Sequence, residues 1–201
     1  NSVVTVTGGT ALITGTPPVE SQSIALALPT ISVPAALTCV DKLVTGQTTE
    51  LLPSAFGDYC FHNLEVSGGA TLTTDGPVTQ ATAADNVTAG GLQLLGSGSY
   101  TLANGGNDIS TLAANVANLI DYADKDGYTV GTVADAPSGV QPTGITTTAN
   151  GTITLTNGGT LTVNSPIVSD GNFTQNGAGS TILDADIVTT VDLVQFARPV
   201  T

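Results

Sequence analysis

The sequence predicts an all-β fold, a repetitive solenoid of short strands, on three observations. Charged residues make up 9% of the 201-residue chain, against about 25% in an average soluble domain. Thr, Val, Gly and Asn take their place, a composition that favours pleated strands broken by turns. Apolar-alternating runs recur between Gly, Asn and Asp corners at fairly even spacing, as in an all-β solenoid, sandwich or barrel. Near-repeats of roughly 20 residues select the solenoid. A small β-sandwich subunit that polymerises by donating a strand is the alternative fold.

In chain order, residues 1–15 alternate apolar residues with Thr and break at Gly8-Gly9, which reads as two short strands. Residues 16–62 hold five of the ten prolines, both cysteines and the single His. They read as an irregular, disulfide-pinned cap or insertion, so the chain divides into 1–62 and a repetitive β domain, 63–201. At Asn63-Leu-Glu-Val-Ser-Gly-Gly-Ala-Thr-Leu-Thr-Thr the pattern becomes strand, Gly-Gly turn, strand. The unit recurs at Gly151-Thr-Ile-Thr-Leu-Thr-Asn-Gly-Gly-Thr-Leu-Thr-Val-Asn, where Ile153, Leu155 and Leu161 match Leu64, Val66 and Leu72 in type and order. Weaker copies follow in 172–201, with Phe173, Ile182, Leu183, Ile187, Val188, Leu193 and Phe196 between corners. One stretch competes: Ile109, Leu112, Ala113, Val116, Leu119 and Ile120 fall at helical spacing after a candidate cap at Asn107 or Asp108. Thr111, Asn115, Val116 and Asn118 oppose a helix.

Residues 87–133 carry Gly-Gly-Leu-Gln-Leu-Leu-Gly-Ser-Gly-Ser-Tyr-Thr-Leu at 90–102, Leu112-Ala-Ala-Asn-Val116 and Asp126-Gly-Tyr-Thr-Val-Gly-Thr-Val133. With Gly171-Asn-Phe-Thr-Gln-Asn-Gly-Ala-Gly-Ser-Thr-Ile-Leu and Val194-Gln-Phe-Ala-Arg-Pro-Val200, the chain over about 63–201 resembles filamentous-haemagglutinin-like and autotransporter-type bacterial surface repeats. The resemblance implies a right-handed parallel β-helix, a cell-surface or extracellular location, and a role in adhesion or fibre building. It also implies that 109–120 is coil wall and loop rather than helix. Residues 16–62 lie outside it.

Sixteen acidic residues face three basic ones, Lys42, Lys125 and Arg198, for a net charge of -13. Such a chain cannot neutralise a phosphate backbone, which argues against nucleic acid as a partner, and an anionic membrane repels it. No apolar run reaches the roughly 18 residues of a membrane span. A chain that opens on Asn1 fits a processed, secreted protein. Cys39 and Cys60 are expected to form a disulfide, the simplest fate of a lone pair in a secreted chain. In the chain-entropy model it would contribute roughly 3 kcal/mol.

Chemistry-bearing constellations are sparse. Asp121, Asp124 and Asp126 precede Gly127, and an Asp-x-Asp-Gly turn suits a hard cation such as calcium. A full EF-hand loop needs Glu at its twelfth position, where this chain has Asp135, so the cation signal is weak and an acidic surface turn is the plainer reading of the cluster. Asp184 and Asp186 form a second, weaker pair. Paired carboxylates also serve glycosidases, but no adjacent carboxylates lie beside a basic residue, and His62 reads as structural. The sequence therefore points to a protein that is not an enzyme, with a polysaccharide-active β-helix as the remote alternative. Sequons occur at Asn86, Asn150 and Asn172. The run Val3, Val4, Val6 reads as a strand available to a neighbour. Neither chain end looks capped, so the expected partners are copies of the same chain joined head to tail, together with cell-surface glycans or proteins.

Overall fold

A computed structural model describes the strands of residues 3–52 and the segments 59–80, 82–134 and 141–201, with side chains from Leu64 onward except Ser67. Cys39 lies outside the described residues and the Cys60 side chain is not among those described, so the expected disulfide falls outside them too.

The described chain is a parallel β-solenoid with three walls, and no described residue is helical. The first wall stacks β8 (Val78–Gln80), β10 (Tyr100–Leu102), β13 (Ile120–Asp124), β16 (Ile153–Asn157), β19 (Phe173–Gly177) and β22 (Val194–Phe196). The second holds β3 (Ser23–Leu26), β5 (Val40–Thr45), β11 (Asp108–Ile109), β14 (Tyr128–Val130), β17 (Leu161–Val163) and β20 (Thr181–Leu183). The third holds β2 (Thr10–Thr14), β4 (Thr30–Ser32), β6 (Thr49–Leu52), β12 (Thr111–Val116), β15 (Ile145–Thr147), β18 (Ile167–Ser169) and β21 (Ile187–Thr189). Two long strands, β7 (Tyr59–Thr73) and β9 (Val87–Gly96), bend round corners and serve more than one wall, as does β12, whose Thr111 and Leu112 pair with β14 and whose Ala114 to Val116 pair with β15. At the N-terminal end β1 (Val3–Thr7) lies antiparallel on β2, with Val3 opposite Thr14.

Alternation of side chains along each strand creates the core. On the third wall one ladder position reads Ala11, Ile31, Leu51, Leu72, Leu94, Ala114, Ile145, Ile167, Ile187, apolar at every level. The first wall carries Tyr59, Val78, Tyr100, Ile120, Ile153, Phe173 and Val194 in register. From Val78 to Phe173 every member of that column is fully buried. Each buried Leu, Ile or Phe contributes about 1.5–3 kcal/mol over an exposed one. Outward positions between them are often Thr, as in Thr154 opposite Thr174 and Thr129 opposite Thr162.

Three sequence expectations change. The helical spacing over 109–120 belongs to strands β11, β12 and β13, because the buried residues Ile109, Leu112, Val116 and Ile120, spread over three successive walls, fall three or four residues apart. The sandwich alternative gives way to a fold whose described strand pairs beyond β1–β2 are all parallel. Gly68-Gly69 is not a hairpin turn: it lies within β7, where the pairing with β9 shifts register between Val66 and Gly69. Asn63 lies within β7, and Asn63 to Val66 pair in parallel with Lys42 to Thr45 of β5.

The coil period is 20 residues where Ile153 pairs Phe173 and Ile167 pairs Ile187, but Ile120 pairs Ile153, 33 residues on. The extra chain follows β14. Its Val133 is buried against Ala113 on the outside of the third wall, apart from the main core. A Cβ at Gly91 would lie 2.8 Å from Val133 Cγ1, so glycine leaves that seat open.

Ile153→Ala is expected to cost about 2–5 kcal/mol, the range for emptying a packed core site, whereas Val168→Ala on the exposed outer face should stay within about 0.5 kcal/mol. Urea denaturation followed by circular dichroism measures both.

Candidate functional site

Polar side chains converge inside the corner between the first and second walls. Asn107 precedes β11, Asp124 ends β13 and Asn157 ends β16, with Asp124 opposite Asn157 in the ladder. Their carbonyls accept from the next coil's corner: Asn107 from Lys125 N at 2.8 Å, Asp124 from Gly158 N at 3.1 Å, Asn157 from Gly179 N at 3.0 Å. Each corner thus leaves a backbone group that the following one satisfies.

Asn107 is fully buried and uses its whole carboxamide. Its Oδ1 accepts from Val87 N at 2.8 Å and from Gln80 Nε2 at 2.7 Å. Its Nδ2 donates to the carbonyls of Leu102 at 2.8 Å and Ala123 at 2.9 Å. One side chain therefore ties together neighbouring coils. Asn157 repeats the device, donating to the Gly159 and Ser180 carbonyls and accepting from Gln175 Nε2 at 2.6 Å.

Asp124 is 2% exposed. Its Oδ2 accepts from Tyr122 Oη at 2.7 Å and Ile109 N at 3.1 Å, and its Oδ1 from Asp126 N at 3.1 Å. Burial pushes its carboxyl above the ordinary range, while the Tyr122 hydroxyl and two backbone N–H groups pull the other way. Burial, then the Asp124 charge, raises both the Tyr122 and Tyr128 hydroxyls far above the usual phenol value. Those two rings meet edge to face, with centroids 5.3 Å apart.

The three candidate cation ligands separate. Asp124 faces the interior. Asp121, three residues earlier on the same strand, faces outward between Thr101 and Thr154, and burial raises its carboxyl. Asp126 is exposed in the turn. Among the described residues, no group of three His, Cys, Asp or Glu side chains is arranged to hold a metal ion. Outside the corner, Asp108, Ser110, Asp126, Thr129, Thr160 and Thr162 line an open polar groove of about 480 Å³. Lys125 forms an exposed ion pair with Asp108 beside it.

The other singled-out residues lie apart. Asp184 and Asp186 are exposed at the corner between β20 and β21. His62 lies within β7, with its side chain outside the described set. Asn150 and Asn172 are exposed; Asn172 Oδ1 accepts from Leu193 N at 3.0 Å, and half-buried Asn86 donates to the Ala84 carbonyl at 3.3 Å. Val3, Val4 and Val6 belong to β1, which is paired within its own chain rather than free on both sides. Sequence reasoning missed Asn107, Asn157 and Gln175. Nothing in a chain rich in Asn marks which Asn turns inward.

Comparisons with protein-family models, curated proteins and solved structures give no match. The fold itself defines the class: a parallel β-solenoid whose corners carry buried polar ladders. No helix among the described residues is long and apolar enough to cross a membrane.

Because Asp121, Asp124 and Asp126 diverge, millimolar calcium is expected to leave the melting temperature unchanged; a calcium-dependent rise in Tm, removed by Asp126→Asn, would show that the turn rearranges to bind. A second expectation follows from Asp124. A carboxyl whose folded pKa is raised disfavours the charged fold, so its penalty is full above the folded pKa. That penalty fades as pH falls through the folded pKa and is gone below the unfolded value. Stability should therefore increase on mild acidification from neutral pH, and Asp124→Asn should weaken that dependence. Urea midpoints measured across pH 7 to 4.5 check the slope.

Proposed function

We propose that this protein is an extracellular structural protein, a rod-like filament subunit joined head to tail or a segment of a surface adhesin. The observation that carries the reading is the third-wall column, which continues from Ala11 to Ile187 in parallel register. Inter-strand hydrogen bonds in such a stack point along the rod axis. Tension along the axis is then shared among three walls of backbone bonds, a geometry suited to bearing load. The outer faces, set with Thr and low in cations, suit contact with neutral glycans or proteins through hydroxyl hydrogen bonds.

Two alternatives carry less. Donor-strand polymerisation needs a strand unpaired at home, and β1 already has a partner in β2. A polysaccharide-active solenoid would draw on the groove lined by Asp108 and Asp126, whose aromatic lining residue, Tyr128, is 3% exposed and presents no open face to a sugar ring. Incubation with a panel of polysaccharides should release no reducing ends, and release abolished by Asp126→Asn would favour that alternative.

Concentrated protein should form unbranched filaments by electron microscopy, and aligned samples should diffract at about 4.8 Å along the filament axis, the spacing of hydrogen-bonded strands. Discrete particles at every concentration, with an intracellular location by immunolabelling of the native source, would sink the proposal.

A further inference from the structure

Four Asn-Gly steps mark corners of the solenoid: Asn104-Gly105, Asn150-Gly151, Asn157-Gly158 and Asn176-Gly177. An asparagine followed by glycine can react with its own backbone. The glycine nitrogen attacks the carboxamide carbon and closes a succinimide ring, since glycine has no Cβ to hinder the approach. Closure needs a carboxamide free to turn and a glycine N–H that no acceptor holds.

Three of the four steps are locked. Asn157 is fully buried, its carboxamide is bonded at both ends, and Gly158 N donates to Asp124 O at 3.1 Å. Gly151 N, beside Asn150, donates to Thr148 O at 2.8 Å. Asn104 Nδ2 donates to the carbonyls of Thr82 at 2.6 Å and Asp85 at 2.7 Å.

Asn176 differs on both counts. Its side chain is exposed, and among the described residues no hydrogen bond holds its carboxamide. Phe173 N donates to Leu193 O at 2.9 Å, so alternate N–H groups along β19, those of Phe173, Gln175 and Gly177, face β22. That ladder ends with Gln175 opposite Phe196, one step short of Gly177. The fold also fixes the glycine. Gly177 has φ +99°, and a Cβ there would lie 2.3 Å from Asn157 O. The reactive pair is therefore part of the corner's construction. Arg198 Nε donates to Gly177 O at 3.2 Å, which sets a guanidinium against the same glycine, where it favours the anionic nitrogen that attacks.

We propose that Asn176 is a self-modification site, at which the chain converts an asparagine to isoaspartate with water as the co-reactant. The bond from Gly177 N to Asn176 Cγ forms and the Cγ–Nδ2 bond breaks. The proton leaves Gly177 N, and Nδ2 departs as ammonia. Water then opens the succinimide at either carbonyl, giving aspartate or isoaspartate with no change of oxidation state. In isoaspartate the main chain runs through the side chain and gains a methylene. The Asn176 carbonyl, which accepts from Gln175 Nε2 at 2.6 Å, becomes a carboxylate released from the main chain. The same Nε2 donates to Asn157 Oδ1 at 2.6 Å, so a change at the surface reaches the buried corner. The mark accumulates with the age of the molecule and belongs to a single chain, whether or not that chain assembles.

Incubation of the folded protein at alkaline pH, followed by peptide mass spectrometry, reads the conversion. The peptide containing Asn176 should lose its amide, with isoaspartate among the products, while those containing Asn104, Asn150 and Asn157 keep theirs. In urea all four should convert, because the fold makes the selection. The converted chain should melt at a lower Tm. Asn176→Gln should abolish both the conversion and the fall in Tm; Asn176→Ser replaces it if native circular dichroism is lost. An Asn176 amide that survives in folded protein but is lost in urea overturns the proposal, as does faster loss at any of the other three. Conversion with no fall in Tm overturns the link to the buried corner.

Discussion

In-register parallel stacking places each residue directly above its counterpart one coil earlier, so one local rule, applied at every level, builds the whole interior. Most inward positions are apolar or bring their own hydrogen bonds, with Tyr128 Oη and Thr181 Oγ1 among the buried exceptions. Ile145, Ile167 and Ile187 obey the first form, stacked on one ladder position. Asn107 and Asn157 obey the second, each using both ends of a buried carboxamide. A buried amide left half satisfied costs about 1–3 kcal/mol, so the full networks of Asn107 and Asn157 offset what Gln175, whose Oε1 has no partner, leaves unmet. The same rule explains Asp124, a carboxylate held at 2% exposure by two backbone N–H groups and a tyrosine hydroxyl.

The fold was legible because the rule leaves a trace in sequence. Alternation of apolar residues with Thr, corners of Gly and Asn, and recurrence at about 20 residues all follow from strands stacking on three walls. The register was not legible. Leu64 and Val66 lie on the second wall, while their apparent counterparts Ile153 and Leu155 lie on the first. Leu72 belongs to the third wall and Leu161 to the second. Each wall uses the same apolar-x-apolar pattern, so similarity of pattern cannot say which wall a strand occupies. The helical spacing over 109–120 has the same origin.

The candidate site was legible in composition and hidden in direction. Asp121, Asp124 and Asp126 read as one acidic turn, yet strand alternation sends Asp121 outward and Asp124 inward. Asn107 reads as a helix cap or a turn residue because Asn serves all of these places. What separates a buried ladder Asn from a surface corner Asn is its neighbour one coil away, some 20 residues distant, and local sequence carries no record of it.

Val133 gives the long coil a further meaning. The 33-residue interval between Ile120 and Ile153 leaves the ladder in step on both sides, so the corner after β14 absorbs added chain without disturbing the axis. The addition is nevertheless not a passive ornament. Val133 shelters Ala113, and Gly91 forgoes a side chain to make room for it. Trimming this coil to the common length would bare an apolar spot on the outside of the third wall. The decoration and the wall beneath it are one unit of design, and grafting a new segment at this corner would have to supply its own replacement for Val133.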